Sequence, residues 1–449
     1  MRDIFLVGIV FLGLLASLRY PFAGILLWTW FTCMDPHQEA YGFAQTAPLN
    51  LIIACVTIAS WVVSKERKIP PRDAAIILVF AFLIWITVNG FFAIDPDRSW
   101  PLWERTWKTI ALGLFISVMA TNKIRVHALV WVTVLSLFYY GIKGGVFTIM
   151  TGGHNHVLGA ENSMIGDNNQ LAVALLMVLP LANYLRLHSA RRWVSWSLLA
   201  GMVLTMIATL GTYSRGAFIA LGGLSVVAWF RSRNKFVYPI AAALVLIPAF
   251  FLMPQAYVDR LNTIGTADPD DSFHGRVVAW QVAWRYALDH IPFGNGFSCS
   301  ELPQVFNRYF PGEVTHAAHS IYFEVLGDNG LMGLAIYLGI ILTVFLMYSR
   351  VRKLSRGKPE LSWAFDLAGM AQLSLFVFGL GGAALSMAYY DIFFILVGLG
   401  SAMNVIVTTA VKGSAAGSVK FRAPDPGVPQ LAGAVVGAGL QSTASFDKS

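Results

Sequence analysis

The sequence predicts an all-α, polytopic membrane protein of about twelve transmembrane helices with one long, partly helical periplasmic loop. Three observations carry this. Hydrophobic residues make up 56% of the chain and charged residues only 12%, about half the charged share of a soluble domain. Apolar stretches near the length that crosses about 30 Å of hydrocarbon recur along almost the whole chain. Lys and Arg gather in the short loops between alternate stretches, the pattern of cytoplasmic loops.

Backbone groups cannot be left bare in lipid, so each stretch is expected as a helix. The expected spans are 4–33, 46–63, 73–93, 103–120, 126–149, 169–186, 193–211, 216–230, 236–253, 319–348, 362–384 and 390–410. Arg19, Tyr20 and Pro21 interrupt the first, which is therefore one broken span or two short helices. Further apolar segments follow it at once, so it reads as a retained anchor rather than a cleaved leader.

The loops 64–72, 121–127, 186–193, 231–235 and 349–360 hold 17 of the 32 Lys and Arg and are expected in the cytoplasm. The opposite loops carry acids: Asp35 and Glu39, Asp95 and Asp97, Glu161 and Asp167, and Asp268, Asp270 and Asp271. They are expected outside, which in a Gram-negative inner membrane is the periplasm. The net charge of +8 is thus explained by topology, with membrane lipids as the surroundings and no nucleic acid as a partner. Three cysteines at unrelated spacings, Cys33, Cys55 and Cys299, imply neither a disulfide framework nor a metal cluster.

The organisation expected is N-terminal transmembrane helices over 1–253, a periplasmic loop subdomain over 254–318, C-terminal transmembrane helices over 319–411 and a disordered cytoplasmic tail over 412–449. Loops as long as 254–318 are commonly functional. Asp271 or Ser272 is placed to cap a helix in it. Trp280, Trp284 and Leu288 then repeat at helical spacing, an apolar face suited to the membrane surface. Pro292–Gly296 ends this helix, and Leu302–Phe310 forms a second short one. The tail is rich in Gly, Ala, Ser and Pro and carries no chemistry.

Nine cations fall outside or within spans, where positive charge is disfavoured: Arg98, Arg105, Lys108, Lys143, Arg215, Arg260, Arg276, Arg285 and Arg308. Each either pairs with an outer acid, snorkels, or marks a site. Arg215 is the sharpest, in the tight turn Gly211–Ala217, where small neighbours and the start of the next span favour an anion. Its guanidinium suits a phosphate through two parallel hydrogen bonds. Arg276 opens the Trp-bearing loop helix. His319 lies where the long loop re-enters the membrane and suits a general base near neutral pH. Of the acids downstream, Asp328 falls closer to the histidine's helical face than Glu324 does. His316 and His319 are three apart, but no third ligand has metal-site spacing, so no metal is expected. Asp167, Asn168 and Asn169, at the outer start of a span, either cap it or hydrogen-bond a sugar. The Gly-rich run Phe378–Ala384 reads as a helix-packing surface.

His319-Ser320, then nine residues to Gly330 and two more to Gly333, resembles the histidine motif of bacterial O-antigen ligases. The order of a Thr-Tyr-Ser-Arg-Gly-Ala turn at 212–217, a long outer loop with an early arginine and that histidine is similar to the O-antigen ligase and polymerase superfamily. The start of the chain, including Asp35–Ala44, resembles a subgroup of exosortase-associated O-glycosylation ligases. The resemblance implies a glycosyltransferase that moves a glycan from an undecaprenyl diphosphate-linked donor to a hydroxyl, which in ligases belongs to the lipid A–core of lipopolysaccharide. It implies Arg215 and Arg276 at the donor diphosphate and His319 as catalytic base, with no cofactor and no metal. Arg105, Lys108, Asn168, Asn169 and His316 are further substrate-binding candidates. An O-antigen polymerase or a protein O-oligosaccharyltransferase would share this donor chemistry. A transporter of lipid-linked sugars is the reading from another class, but it predicts internal repeats and midplane sites, which the sequence does not display.

Overall fold

The computed structural model describes residues 2–231 and 271–419 of the 449. The expected span 236–253, Arg260, the start of the long loop and the tail beyond Val419 lie outside the described residues. Every regular element among the described residues is helical.

The first apolar segment is two helices, α1 (Arg2–Arg19) and α2 (Pro21–Met34), separated at Tyr20. Tyr20 has extended backbone and Pro21 is the first residue of α2, where a missing N–H costs nothing. A short helix α3 (Phe43–Thr46) precedes α4 (Leu49–Val63), α5 (Ala74–Phe91), α6 (Pro96–Met119), α7 (Lys123–Met150), α8 (Asn168–Leu187), α9 (Arg192–Gly211) and α10 (Arg215–Arg231). The long loop contributes α11 (Asp271–Asp289) and α12 (Pro303–Tyr309). α13 (Ile321–Ser355), α14 (Ser362–Gly381) and α15 (Asp391–Val419) complete the chain.

This is a multi-pass membrane protein. Seven described helices are long and apolar enough to cross a bilayer: α5, α7, α8, α9, α13, α14 and α15. The expectation of about twelve spans also counted α1 and α2 together as one broken span, α4, α6, α10 and 236–253, the last outside the described residues; α2, α4 and α10 are apolar but shorter. α1 carries Arg2, Asp3 and Arg19, and α6 carries Asp97, Arg98, Glu104, Arg105 and Lys108. Hydropathy alone does not put those two across a membrane.

The hydrophobicity of α8 is not one-sided: its residues 171–182 are buried without a break, which makes it a core helix of the bundle. It is flanked by α7, α9, α10 and α14. Small residues bring backbones close. A Cβ on Gly113 of α6 would lie 2.5 Å from the carbonyl oxygen of Phe394 in α15, and one on Gly381 of α14 would lie 2.7 Å from Val173 of α8. These are the close approaches that hold helices together in lipid.

The loops of alternate sign meet at opposite ends. At one end Arg125 holds Glu66 with two hydrogen bonds of 2.8 and 2.5 Å, and His188 meets Asp366 at 3.0 Å. At the other, Ile94 N donates to Asn295 O at 3.1 Å, Arg98 pairs with Glu301 at 2.7 Å, and Asn168 reaches Thr212 O at 2.7 Å.

α13 is not one continuous helix. Gly330 has φ 70° and ψ −173°, a region essentially only glycine occupies. The segment 321–329 is thereby set off from 331–355, a break absent from the single span expected at 319–348. The run Pro292–Gly296 docks into it. Gly294 N donates to Asn89 Oδ1 at 2.8 Å, Trp85 Nε1 donates to Asn329 O at 2.8 Å, and Phe293 stacks on Trp85 with centroids 5.2 Å apart.

Candidate functional site

His319 stands directly before α13, with φ 43°. A non-glycine residue is held in the left-handed region only where its surroundings enforce it. Here the enforcement is visible on both sides. Trp280 Nε1 of α11 donates to Ala318 O at 2.6 Å and its ring stacks on Phe323 at 5.1 Å. Ala318 and Ser320 are buried while His319 is exposed. Trp280 therefore does not join Trp284 and Leu288 on one outward face, as its spacing suggests; it turns in to brace the histidine.

Although solvent reaches the His319 ring, protein crowds it, as on the wall of a cleft. Burial is the largest influence and holds its pKa below the ordinary 6.5; the positive charge of Arg276 lowers it further, Asp167 opposes them, and His316 adds a smaller lowering. At neutral pH the imidazole is consequently neutral, the form that can accept a proton. His316 packs over Gly275, where a Cβ would lie 2.7 Å from its ring. The missing side chain lets the strand entering α13 approach α11 beside Arg276.

Arg215 is the first residue of α10 and is exposed. The preceding turn is rigid: Tyr213 has φ 55°, its hydroxyl donates to Gly153 O, and Ser214 Oγ accepts from Ala217 N at 3.1 Å as a helix cap. Asn168 Nδ2 donates to Thr212 O at 2.7 Å, Asn169 Nδ2 donates to Asn168 Oδ1 at 3.1 Å, and Asp167 Oδ1 accepts from Asn169 N at 2.9 Å. The two asparagine amides thus brace the start of α8 against the arginine turn.

The connection between α14 and α15 gathers these starts together. Gln170 Nε2 donates to Ser386 O at 2.7 Å. Ala384 faces Gly216 at 3.7 Å from its would-be Cβ. Ile321 packs on Gly382, and Glu324 Oε2 accepts from Ala388 N at 2.9 Å. The first turns of α8, α10 and α13 therefore surround one loop. They bring Asp167, Arg215 and His319 to the same end of the bundle as Arg276 and His316.

Residues 200–338 match a family model described as O-antigen ligase. Over this stretch the chain is similar to the O-antigen ligase family. The stretch runs from within α9 through the arginine turn, α11 and His319 to the glycines of the broken helix. Residues 1–190 match a family of unknown function (DUF5935). No curated protein matches the chain.

Within the matched stretch, Gly330 carries the break in α13 described above. Gly333 packs against Asn329 and Trp85, so both glycines of the histidine motif serve backbone approach. Asp328, which spacing set near the face of His319, is directed elsewhere. It accepts from Ser298 N at 2.6 Å and from Tyr389 O–H at 2.9 Å, tying the loop subdomain to α13 and the α14–α15 connection. The reason is geometric: His319 lies outside the helix in a left-handed conformation, so helical spacing does not relate the two.

Arg105 and Lys108 lie outside the stretch that matches the ligase family, on α6. Lys108 Nζ is 2.5 Å from Glu104. Arg105 sits near Asp35, whose pKa is raised to about 7 by burial and by Asp391, with Arg105 opposing. Their charges are engaged by carboxylates, which leaves less to offer a diphosphate. Among the described residues no group of three or more His, Cys, Asp or Glu could hold a metal ion. The site residue that spacing missed is Trp280, which pins the backbone. Asp167, expected with the two asparagines as a cap or sugar ligand, caps α8, and its charge also acts on His319.

Proposed function

We propose that the protein is an O-antigen ligase that transfers a glycan from undecaprenyl diphosphate to a hydroxyl of lipid A–core at the periplasmic face of the inner membrane. The observation that carries this reading is the exposed His319 before α13, its pKa held down by burial and by the charge of Arg276, in a stretch that matches the O-antigen ligase family. Arg215 and Arg276 bind the donor diphosphate. His319 Nδ1 or Nε2 takes the acceptor's hydroxyl proton as the oxygen attacks the anomeric carbon. The bond from that carbon to the diphosphate oxygen breaks, its electron pair leaves with the lipid diphosphate, and the anomeric configuration inverts.

Negative charge grows on the leaving group as this bond breaks. Guanidinium groups fixed there stabilise the transition state more than the bound substrate, the work a divalent ion would otherwise do. General-base help from a positioned histidine is worth typically about 10²–10⁴-fold. The resemblance of the first forty-odd residues to exosortase-associated ligases fits the same donor chemistry.

The deciding experiment is a deletion of the encoding gene followed by lipopolysaccharide gels, complemented with wild type or Arg215→Ala. A ligase leaves core lipid without long chains while polymer accumulates on undecaprenyl diphosphate, and Arg215→Ala, inserted normally, fails to complement. Core bearing a single repeat would make it a polymerase, and unchanged lipopolysaccharide would move the acceptor to a protein or another glycan.

A further inference from the structure

α11 presents three faces. One is the core of the loop subdomain, where Val278, Ala279, Val282 and Tyr286 bury against Cys299, Leu302, Val305 and Phe306. The outward half is itself divided. At 3.6 residues per turn, Gln281, Arg285 and Asp289 fall on one side of it, all exposed. Trp284 and Leu288 fall on the other, 48% and 45% exposed. The apolar side continues past the helix end into Ile291 and Phe293, 60% and 42% exposed.

This apolar side is joined to a surface that faces lipid. α5 is long and apolar enough to cross a bilayer, and Ile77, Phe80, Ile84 and Phe91 are exposed along it at helical spacing, with Phe92 exposed just beyond its end. Phe293 meets Phe92 with centroids 6.2 Å apart, and Ile94 N donates to Asn295 O at 3.1 Å. Exposed apolar side chains therefore extend from the outward face of α5 through Phe92 and Phe293 to Ile291, Leu288 and Trp284. On the polar side Arg285 lies over the Phe310 ring, 4.9 Å from its centroid.

We propose that α11 lies in the membrane surface as an interfacial helix, with Trp284, Leu288, Ile291 and Phe293 immersed among the acyl chains of the outer leaflet. A helix whose exposed half is part apolar and part charged rests at such a boundary, the apolar part a few ångströms into the hydrocarbon and the charges among headgroups. Tryptophan is the side chain most suited to that depth. The loop subdomain is then not a cap in water but a fixture of the bilayer. Because α11 also carries Arg276 and Trp280, lipid contact sets the height of His319 above the hydrocarbon. The inference concerns α11 and the bilayer alone and does not depend on what the site transfers.

The test is site-directed spin labelling of the full-length protein in phosphatidylethanolamine–phosphatidylglycerol vesicles. Cys33 and Cys299 are buried and Cys55 is exposed, so Cys55→Ser gives a usable background. Labels at Leu288→Cys and Ile291→Cys should collide freely with oxygen and several-fold less with an aqueous nickel chelate than a label at Gln281→Cys. Equal nickel access at the three positions would overturn the proposal, as would exclusion of both probes at 288 and 291, the sign of a second protein surface. If a cysteine variant fails to fold, fluorotryptophan-labelled protein answers instead. The resonance lost in Trp284→Phe should be broadened by acyl-chain spin-labelled lipid and not by aqueous nickel, and the reverse result refutes immersion.

Discussion

Replacing Gly330 with alanine tests the claim that the broken helix, rather than any side chain, docks the loop subdomain. The φ of 70° and ψ of −173° at Gly330 cost a residue with a Cβ about 1–3 kcal/mol. The new Cβ would also lie 2.5 Å from Phe293 O and 2.7 Å from Pro292 O, so the Pro292–Gly296 run must retreat. Retreat strains the Gly294 N to Asn89 Oδ1 bond of 2.8 Å, worth about 0.5–1.5 kcal/mol, and the Trp85–Phe293 stack at 5.2 Å, worth about 0.5–1.5 kcal/mol. The total is about 2–6 kcal/mol, and at roughly 2 °C per kcal/mol the Tm falls by roughly 4–12 °C. Gly357→Ala is the control. Gly357 has φ 74° with nothing within 4 Å of its would-be Cβ, so it carries only a backbone cost of about 1–2 kcal/mol. Thermal melts of nanodisc-embedded protein, with transfer activity read in parallel, measure both. Equal Tm shifts for the two variants would refute the reasoning, because the steric share would then be nil.

The pH–rate profile of kcat/KM should lose activity on the acid side below the ordinary histidine range, since burial and Arg276 hold the His319 pKa down; Asp167→Asn, which removes an opposing influence, should move that limb to still lower pH, and a limb that stays put removes Asp167 from the site. Asp35 should titrate near 7 in the folded protein against 3.8 ordinarily. The folded state then binds the extra proton between those values, so stability rises as pH falls from above 7 toward 4; melts of Asp35→Asn across that range should lack this slope, and an unchanged slope contradicts the assignment. EDTA should leave transfer by the purified protein intact, and inhibition reversed by added divalent metal would require a metal site.

The sequence by itself determined the class of this protein. Hydrophobic runs near bilayer length admit only helices, and that signal is local, so no tertiary knowledge was needed. The histidine motif and the arginine turn were likewise legible, because each is a short run whose residues stay neighbours in the fold. What only the tertiary structure decided is which distant residues meet. Trp280 looked like part of a membrane face, yet it hydrogen-bonds Ala318 and fixes His319 in its left-handed conformation. Asn168 and Asn169 read equally as helix-capping or sugar-binding residues, and which neighbours their amides meet, Thr212 O across the bundle and each other, came only from the fold. Asp328 looked like a partner for His319, yet it ties Ser298 to Tyr389. Helical spacing relates residues only within an unbroken helix, and the glycine break at 330 together with the left-handed turn at 319 ends that periodicity where the site begins.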